Sequence, residues 1–294
     1  MNNPYFSIVV PTYNRADLIG KTIGSILQQE FNDFEVLVID DGSRDNTEDR
    51  IKEFSDLRVH YFKKENGERG AARNYGREKA RGRYVNFFDS DDRMYPNHLT
   101  TAKEAIEKFN EPEFFHLGYD YANPSWNIER YVEDLSESRI QNIKFDNILS
   151  CNGIFIRHDI AASFKFKEDR ALASSEDWEL WIRLLSRFKL NYSNTVTSSV
   201  VNHDQRSLRT IKTEKVIERD LFLIESLQQD ENVTRLYGKG FGRFKAERFT
   251  FFMLYLAEDQ KRAAVFSWAI RAVKAYAPIV FSRRFIAAIK NTLI

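Results

Sequence analysis

The sequence predicts an α/β fold: a mostly parallel central sheet with helices on both faces, then a helical extension after residue 205. Three observations carry this. Short β-branched runs alternate with helix-length amphipathic stretches over the first hundred residues, the pattern of βαβ units. The runs are apolar almost throughout, as in strands covered on both faces. From 211 onward the chain reads as consecutive helices.

The elements follow in order. Phe6–Val10 is a first strand. Asp17–Gln29 sets Ile19, Ile23, Ile26 and Leu27 on one helical face. Phe34–Ile39 is a second strand, Asn46–Phe54 a helix, Arg58–Phe62 a third strand, Ala71–Ala80 a helix and Tyr84–Phe88 a fourth strand. Leu99–Phe109 is helical, and Glu113–Tyr121, Asn127–Val132 and Asn152–Arg157 read as strands of a more mixed sheet. Ser174–Phe188 is a helix with Trp178, Trp181, Leu184, Leu185 and Phe188 on its apolar side. Helices follow at 211–229, 241–257, 260–276 and 282–292. The seam is placed near 205–210, giving a domain of 1–205, with halves 1–95 and 96–205, and an extension of 206–294.

Composition narrows the classes. Among 294 residues, 44 Lys and Arg face 43 Asp and Glu, a balance that argues against a nucleic-acid binder. The lone cysteine, Cys151, excludes an internal disulfide framework and CxxC chemistry, and no base stands beside it to make it a nucleophile. The start MNNPYFSIVVPTYN has neither the basic nor the apolar region of a signal peptide. No uncharged apolar run reaches the ~18 residues of a membrane span. A soluble protein of a reducing compartment, cytoplasmic, is expected.

In an open α/β sheet, ligands bind beyond the carboxyl ends of the strands. Strand one exits into Pro11-Thr-Tyr-Asn-Arg15, strand two into Asp40-Asp-Gly-Ser43, and strand four into Asp89-Ser-Asp-Asp92. A dinucleotide fold would need GxGxxG after strand one, and the segment PTYNRADLIG lacks it; no Walker motif occurs either. Carboxylates at i and i+2 beyond a rigid strand can offer oxygens to Mg²⁺ or Mn²⁺. Such an ion would neutralise a diphosphate. A plain Asp/Ser turn would leave the same pattern.

Four segments match a known family in order and spacing: SIVVPTYNR at 7–15, SILQQEFNDFEVLVIDDGSRDNT at 25–47, ENGERGAARNYGREKARGRYVNFFDSDD at 65–92, and SSEDWELWIRL at 174–184. The chain resembles the family 2 glycosyltransferases, inverting nucleotide-sugar enzymes of the GT-A type with a Rossmann-like sheet. The resemblance covers roughly 1–205.

It implies a UDP-sugar donor, a glycan or lipid-linked acceptor hydroxyl, and Mg²⁺ or Mn²⁺. Pro11, Thr12, Tyr13 and Arg15 would line the nucleotide pocket, with Asp40, beside Asp41, accepting the uracil N–H. Arg73 would lie against base or diphosphate, Asp89 and Ser90 would hold ribose, and Asp91 would ligate the metal, with Asp92 able to assist. Glu176 and Asp177 match the motif that carries the catalytic base, Asp177. An S-x-x-D capping box from Ser174 to Asp177 is compatible with that role. His203, after the apolar run Val196–Val201, matches a histidine that reaches metal or diphosphate, although VVNHDQRS departs from the usual arginine-x-histidine pattern. Two other readings stay open: a non-catalytic nucleotide-sugar-binding protein of this fold, and a sugar-phosphate nucleotidyltransferase, which would need a Gly-rich basic loop where PTYNR stands.

The near-zero net charge hides a division. Residues 1–205 carry net −7 and 206–294 net +8, and no acid follows Asp259. On a helical wheel for 283–294, Arg283, Arg284, Lys290 and Asn291 share one face, opposite Phe285, Ile286, Ile289 and Leu293. The composition suits peripheral contact with an anionic membrane. A basic helix packed on the catalytic domain, with a solvated outer face, reads the same way.

Overall fold

The structure is a computed structural model that describes residues 3–203 and 212–293. The chain divides into two compact units: Met1–Gln141 with Ile148–Arg206, and Asn142–Asn147 with Ser207–Ile294.

The first unit opens with β1 (Phe6–Thr12), α1 (Ala16–Leu27), β2 (Phe34–Asp40), α2 (Thr47–Lys52), β3 (Val59–Lys63), α3 (Glu68–Lys79) and β4 (Tyr84–Phe87). It continues through β5 (Arg93–Met94), α4 (His98–Lys108), β6 (Phe114–Ala122), β7 (Ile128–Tyr131), α5 (Glu137–Asn142, whose last residue enters the other unit), β8 (Ile154–Arg157), α6 (His158–Ser163), α7 (Glu176–Leu185) and β9 (Asn191–Val201). Among the described residues, nine strands form one sheet in the order β3-β2-β1-β4-β8-β6-β9-β5, with β7 paired to β6. Pairing is parallel from β3 to β4. It turns antiparallel at β8 and is mixed beyond, as expected for the second half of this unit.

Both faces of the sheet are covered. Ile19, Ile23 and Ile26 of α1, with Leu99, Ala102 and Ile106 of α4, pack on Phe6, Ile8, Val10, Val36 and Val38. Burying each such side chain contributes about 1.5–3 kcal/mol. On the opposite face α3 lies so close that a Cβ on Gly76 would stand 2.3 Å from Val9 Cγ1. Phe87 there meets Phe166 edge-on at 4.9 Å. The helix α3 begins at Glu68 rather than Ala71. Its first turn, Glu68-Arg-Gly70, is polar and carries no apolar period.

The second unit holds α8 (Thr213–Gln229), α9 (Glu231–Tyr237), α10 (Gly240–Glu258), α11 (Arg262–Ala275), a 3₁₀ turn (Ala277–Phe281) and α12 (Arg283–Leu293). The expected start of the first of these helices at 211 lies outside the described residues. Phe252, Met253 and Leu256 of α10 pack with Val265, Ala269 and Ala288. Residues 142–147 join this unit: Phe145 meets the Tyr237 ring at 5.9 Å and the Arg243 guanidinium at 4.5 Å. On α12 the buried residues are Ala288 and Thr292, while Ile286 and Leu293 are 55% and 69% exposed. The expected separation of bases from apolar side chains is therefore incomplete: Arg283, Ile286, Lys290 and Leu293 share one exposed stripe at helical spacing.

Candidate active site

The parallel register brings Thr12 opposite Asp40 and Val9 opposite Phe87, so the loops after β1, β2 and β4 open at one edge of the sheet. Side chains sew the first two loops together. The backbone N–H of Asn14 donates to Ser43 Oγ at 2.9 Å, Arg44 N–H to Asn14 Oδ1 at 2.9 Å, and Ala16 N–H to Asp45 Oδ2 at 3.1 Å. Asn14 takes φ 51°, a left-handed conformation that asparagine tolerates. Pro11 and Thr12 are buried and Tyr13 is 44% exposed. Thr12 Oγ1 is buried without a hydrogen-bond partner among the described residues, a polar atom that a ligand could satisfy.

Asp40 is drawn into the fold. It is fully buried, with Oδ1 accepting from Ser43 N–H at 2.7 Å and Oδ2 from Tyr61 Oη–H at 2.6 Å. Both oxygens serve the loop and β3, which leaves Asp40 no exposed surface for a base. Asp41 is likewise enclosed by Lys64 Nζ at 2.7 Å, Gly67 N–H at 2.9 Å and Asn66 Nδ2 at 3.1 Å.

The acid loop after β4 separates its carboxylates by function. Thr22 of α1 donates to the carbonyls of Ser90 and Asp92, at 3.0 and 2.8 Å, and pins the loop from below. Ser90 is buried. Asp92 is buried too, with Oδ1 accepting from Val201 N–H at 2.8 Å and Oδ2 from Asn152 Nδ2 at 2.7 Å. It ties the loop to β9, with one hydrogen bond on each carboxylate oxygen. Asp91 differs: its Oδ2 lies 3.0 Å from His203 Nε2 and 3.5 Å from Arg15 Nε. Burial alone would raise the Asp91 carboxyl. The His203 hydrogen bond and the Arg15 and Arg69 charges instead hold it below the usual carboxylate value. His203 Nδ1 is buried and unpartnered among the described residues. No group of three or more His, Cys, Asp and Glu side chains suited to a metal ion occurs among those residues.

Arg73 is the most enclosed of the basic residues singled out in the sequence. Its guanidinium is buried, with Nη1 on Glu176 Oε1 at 2.7 Å and Nη2 on Asp89 Oδ1 at 2.8 Å. It bridges the acid loop to α7. That bridge fixes the neighbouring Asp177, whose carboxylate accepts Trp178 N–H at 2.7 Å. Burial, then the adjacent Glu176 charge, raises the Asp177 carboxyl to about 6 against the pull of Arg73. The alternative reading, a capping box from Ser174 to Asp177, does not form: Ser175 is the residue before α7 and makes no side-chain cap hydrogen bond, and Ser174 sits at φ 73°, outside the β region of an N-cap.

The structure thus brings Asp89, Asp91, Arg15, His203, Arg73, Glu176 and Asp177 into one network. Sequence reasoning missed Asn152, which donates to Asp92 and accepts Asp89 N–H at 2.9 Å. It also missed Arg69, whose charge acts on Asp89, Glu176 and Asp91. Arg69 lies one helical turn before Arg73, a spacing that could have revealed it. Asn152 carried no local signal. Cys151 is buried, which pushes its thiol up and away from nucleophilic use. His98 and His116 are buried, and burial pushes each imidazole down to about 3, so both are neutral core residues.

The family model described as Glycosyl transferase family 2 matches residues 7–169. The chain belongs to that family. The Escherichia coli enzyme WfgD, a UDP-Glc:alpha-D-GlcNAc-diphosphoundecaprenol beta-1,3-glucosyltransferase, is 30% identical over 191 residues, 63% of this chain and 71% of that one. The chain spans about a third of the length of two uncharacterised glycosyltransferases from Rickettsia felis and Rickettsia conorii, 36% and 35%. Among solved structures, Staphylococcus aureus TarS 1–349 in complex with UDP-GlcNAc superposes with a TM-score of 0.66 at 16% identity, covering 93% of this chain and 90% of that one. The mannosyltransferase PcManGT from Pyrobaculum calidifontis, in complex with GDP-Man and Mn²⁺, gives 0.59 at 15% identity, covering 100% and 88%. These likenesses establish the GT-A fold.

Proposed function

We propose that the chain transfers a hexosyl group from a UDP-sugar to a hydroxyl of a glycan or lipid-linked acceptor, with inversion at the anomeric carbon. The observation that carries the reading is Asp177: a carboxylate with its pKa raised to about 6, held at the start of α7 and linked through Glu176 and Arg73 to the acid loop. A general base works best with a pKa near the operating pH. Asp177 takes the proton of the acceptor hydroxyl while the acceptor oxygen bonds to the anomeric carbon. The bond to UDP breaks on the opposite face, so one carboxylate suffices and no covalent intermediate forms.

The donor and acceptor classes are supported by relatives: UDP-GlcNAc in TarS, and a diphosphoundecaprenol-linked sugar in the name of WfgD. Divalent metal use is supported by the Mn²⁺ complex of PcManGT. Asp91 and His203 would hold such an ion through the carboxylate and the imidazole Nε2 that meets it at 3.0 Å. When bound, Mg²⁺ or Mn²⁺ supplies charge neutralisation for the departing diphosphate. Asp89, Thr12 and Tyr13 are left to meet the nucleoside, and the reading implies a cytoplasmic enzyme. The test is UDP release from a panel of UDP-sugars with Mn²⁺ or Mg²⁺, followed by the anomeric configuration of the product by NMR. Release from one donor with an inverted product supports the reading. Release from no UDP-sugar, or a retained configuration, overturns it.

A further inference from the structure

The 3₁₀ turn and α12 present a surface that the transfer chemistry does not use. A groove of about 390 Å³ is lined by Val280, Phe285, Ile286, Ile289, Lys290 and Leu293. Phe281, at its rim in sequence, is 84% exposed. Isolated exposed apolar residues are ordinary, but a contiguous exposed apolar groove in a folded unit marks an interaction surface.

Charge identifies the occupant. Residues 260–294 hold Lys261, Arg262, Arg271, Lys274, Arg283, Arg284 and Lys290, and no Asp or Glu. The fold consumes part of this set: Arg284 stacks on Phe251 at 4.2 Å and Arg271 on Trp268 at 4.5 Å. Arg283 and Lys290 are exposed, and they alternate along α12 with Ile286 and Leu293 at spacings of three and four. Bases bordering apolar side chains on one helix face match the boundary between anionic headgroups and acyl chains. No described helix is long and apolar enough to cross a membrane, so the contact is with the surface.

We propose that α12 and the preceding 3₁₀ turn dock this protein onto an anionic lipid bilayer, with Phe281, Ile286 and Leu293 entering the interface and Arg283 and Lys290 meeting the headgroups. A protein partner or a second copy of the chain would have to bring acids to those bases, and this segment has none to offer its own copy. The inference does not depend on the donor or on the base at Asp177.

The test is sedimentation of the full chain with vesicles of equal parts phosphatidylcholine and phosphatidylglycerol, beside vesicles of phosphatidylcholine alone. Binding to the anionic vesicles only, weakened by 0.5 M salt, is the expected result. Arg283→Glu with Lys290→Glu weakens it more than tenfold, since each base near such a surface is worth about fivefold. Ile286→Asp weakens it as strongly, while circular dichroism and UDP release from solution stay unchanged. Equal binding to both vesicle types, or to neither, overturns the proposal. So does a dimer in sedimentation equilibrium that Ile286→Asp dissolves, which assigns the face to a second copy.

Discussion

The two units of this chain use charge in opposite ways. In the first, bases answer acids at close range: Arg73 lies between Glu176 and Asp89, and Arg15 and His203 flank Asp91. In the second, Arg283 and Lys290 face solvent from a segment without acids. A total of +1 conceals both arrangements. Net charge is thus a poor guide to function here, and the position of each charge relative to its partners is a good one. An enclosed network shapes the pKa of one carboxylate, whereas an exposed field attracts a surface.

Four perturbations sharpen that contrast. The largest effect is expected for Asp177→Asn, which removes the proposed base: transfer falls by 10² to 10⁴ or more in kcat, in the range of general-base loss. UDP affinity by calorimetry stays within about twofold. Wild-type turnover in that variant would end the assignment. Next, Arg73→Met strands Glu176 in the interior and costs about 3–5 kcal/mol in urea unfolding, and Arg73→Lys does not rescue it because one ammonium cannot span both carboxylates. Asp91→Asn lowers UDP affinity in Mn²⁺ about 10–100-fold and leaves affinity in EDTA unchanged, a difference that calorimetry reads directly. Smallest is the second unit's exposed face: Ile286→Asp changes stability by about 0.5 kcal/mol or less, whereas Phe252→Ala, in the core of the same unit, costs about 3–5 kcal/mol. Equal losses at the two positions would mean that α12 is packed on both sides.

Much of this was legible in the sequence. Alternating periods located β1 to β4 and the helices between them, because buried parallel strands and amphipathic helices differ in period. The acid clusters marked the working edge of the sheet, and the family motifs singled out Asp91, Asp177 and His203, which the fold gathers from 112 and fewer residues apart in sequence. What stayed illegible was which of two neighbouring acids faces outward. Asp92 resembles Asp91 in sequence, but the reach of Asn152 turns it inward, whereas Asp40 and Asp41 are both enclosed. Arg73 looked available to a ligand because its partner Glu176 lies 103 residues away. The placement of 142–147 with the second unit rests on the Phe145 and Tyr237 rings, a long-range pairing with no local period.

Asp177 also links activity to stability. Its carboxyl is raised in the folded chain to about 6, above the ~3.9 of an unfolded aspartate. Between those values the folded state binds the extra proton, so stability falls as pH rises from about 4 to about 6. Asp177→Asn removes this cost and raises Tm at pH 8 by about 3–6 °C.

The pH dependence of kcat/KM for the acceptor tests the central claim most directly. Asp177 acting as the base with its raised pKa predicts a tenfold rise per pH unit below about 6 and a plateau above it. A profile that is flat from pH 4.5 to 8, or one whose rising limb survives unchanged in Asp177→Asn, would contradict it.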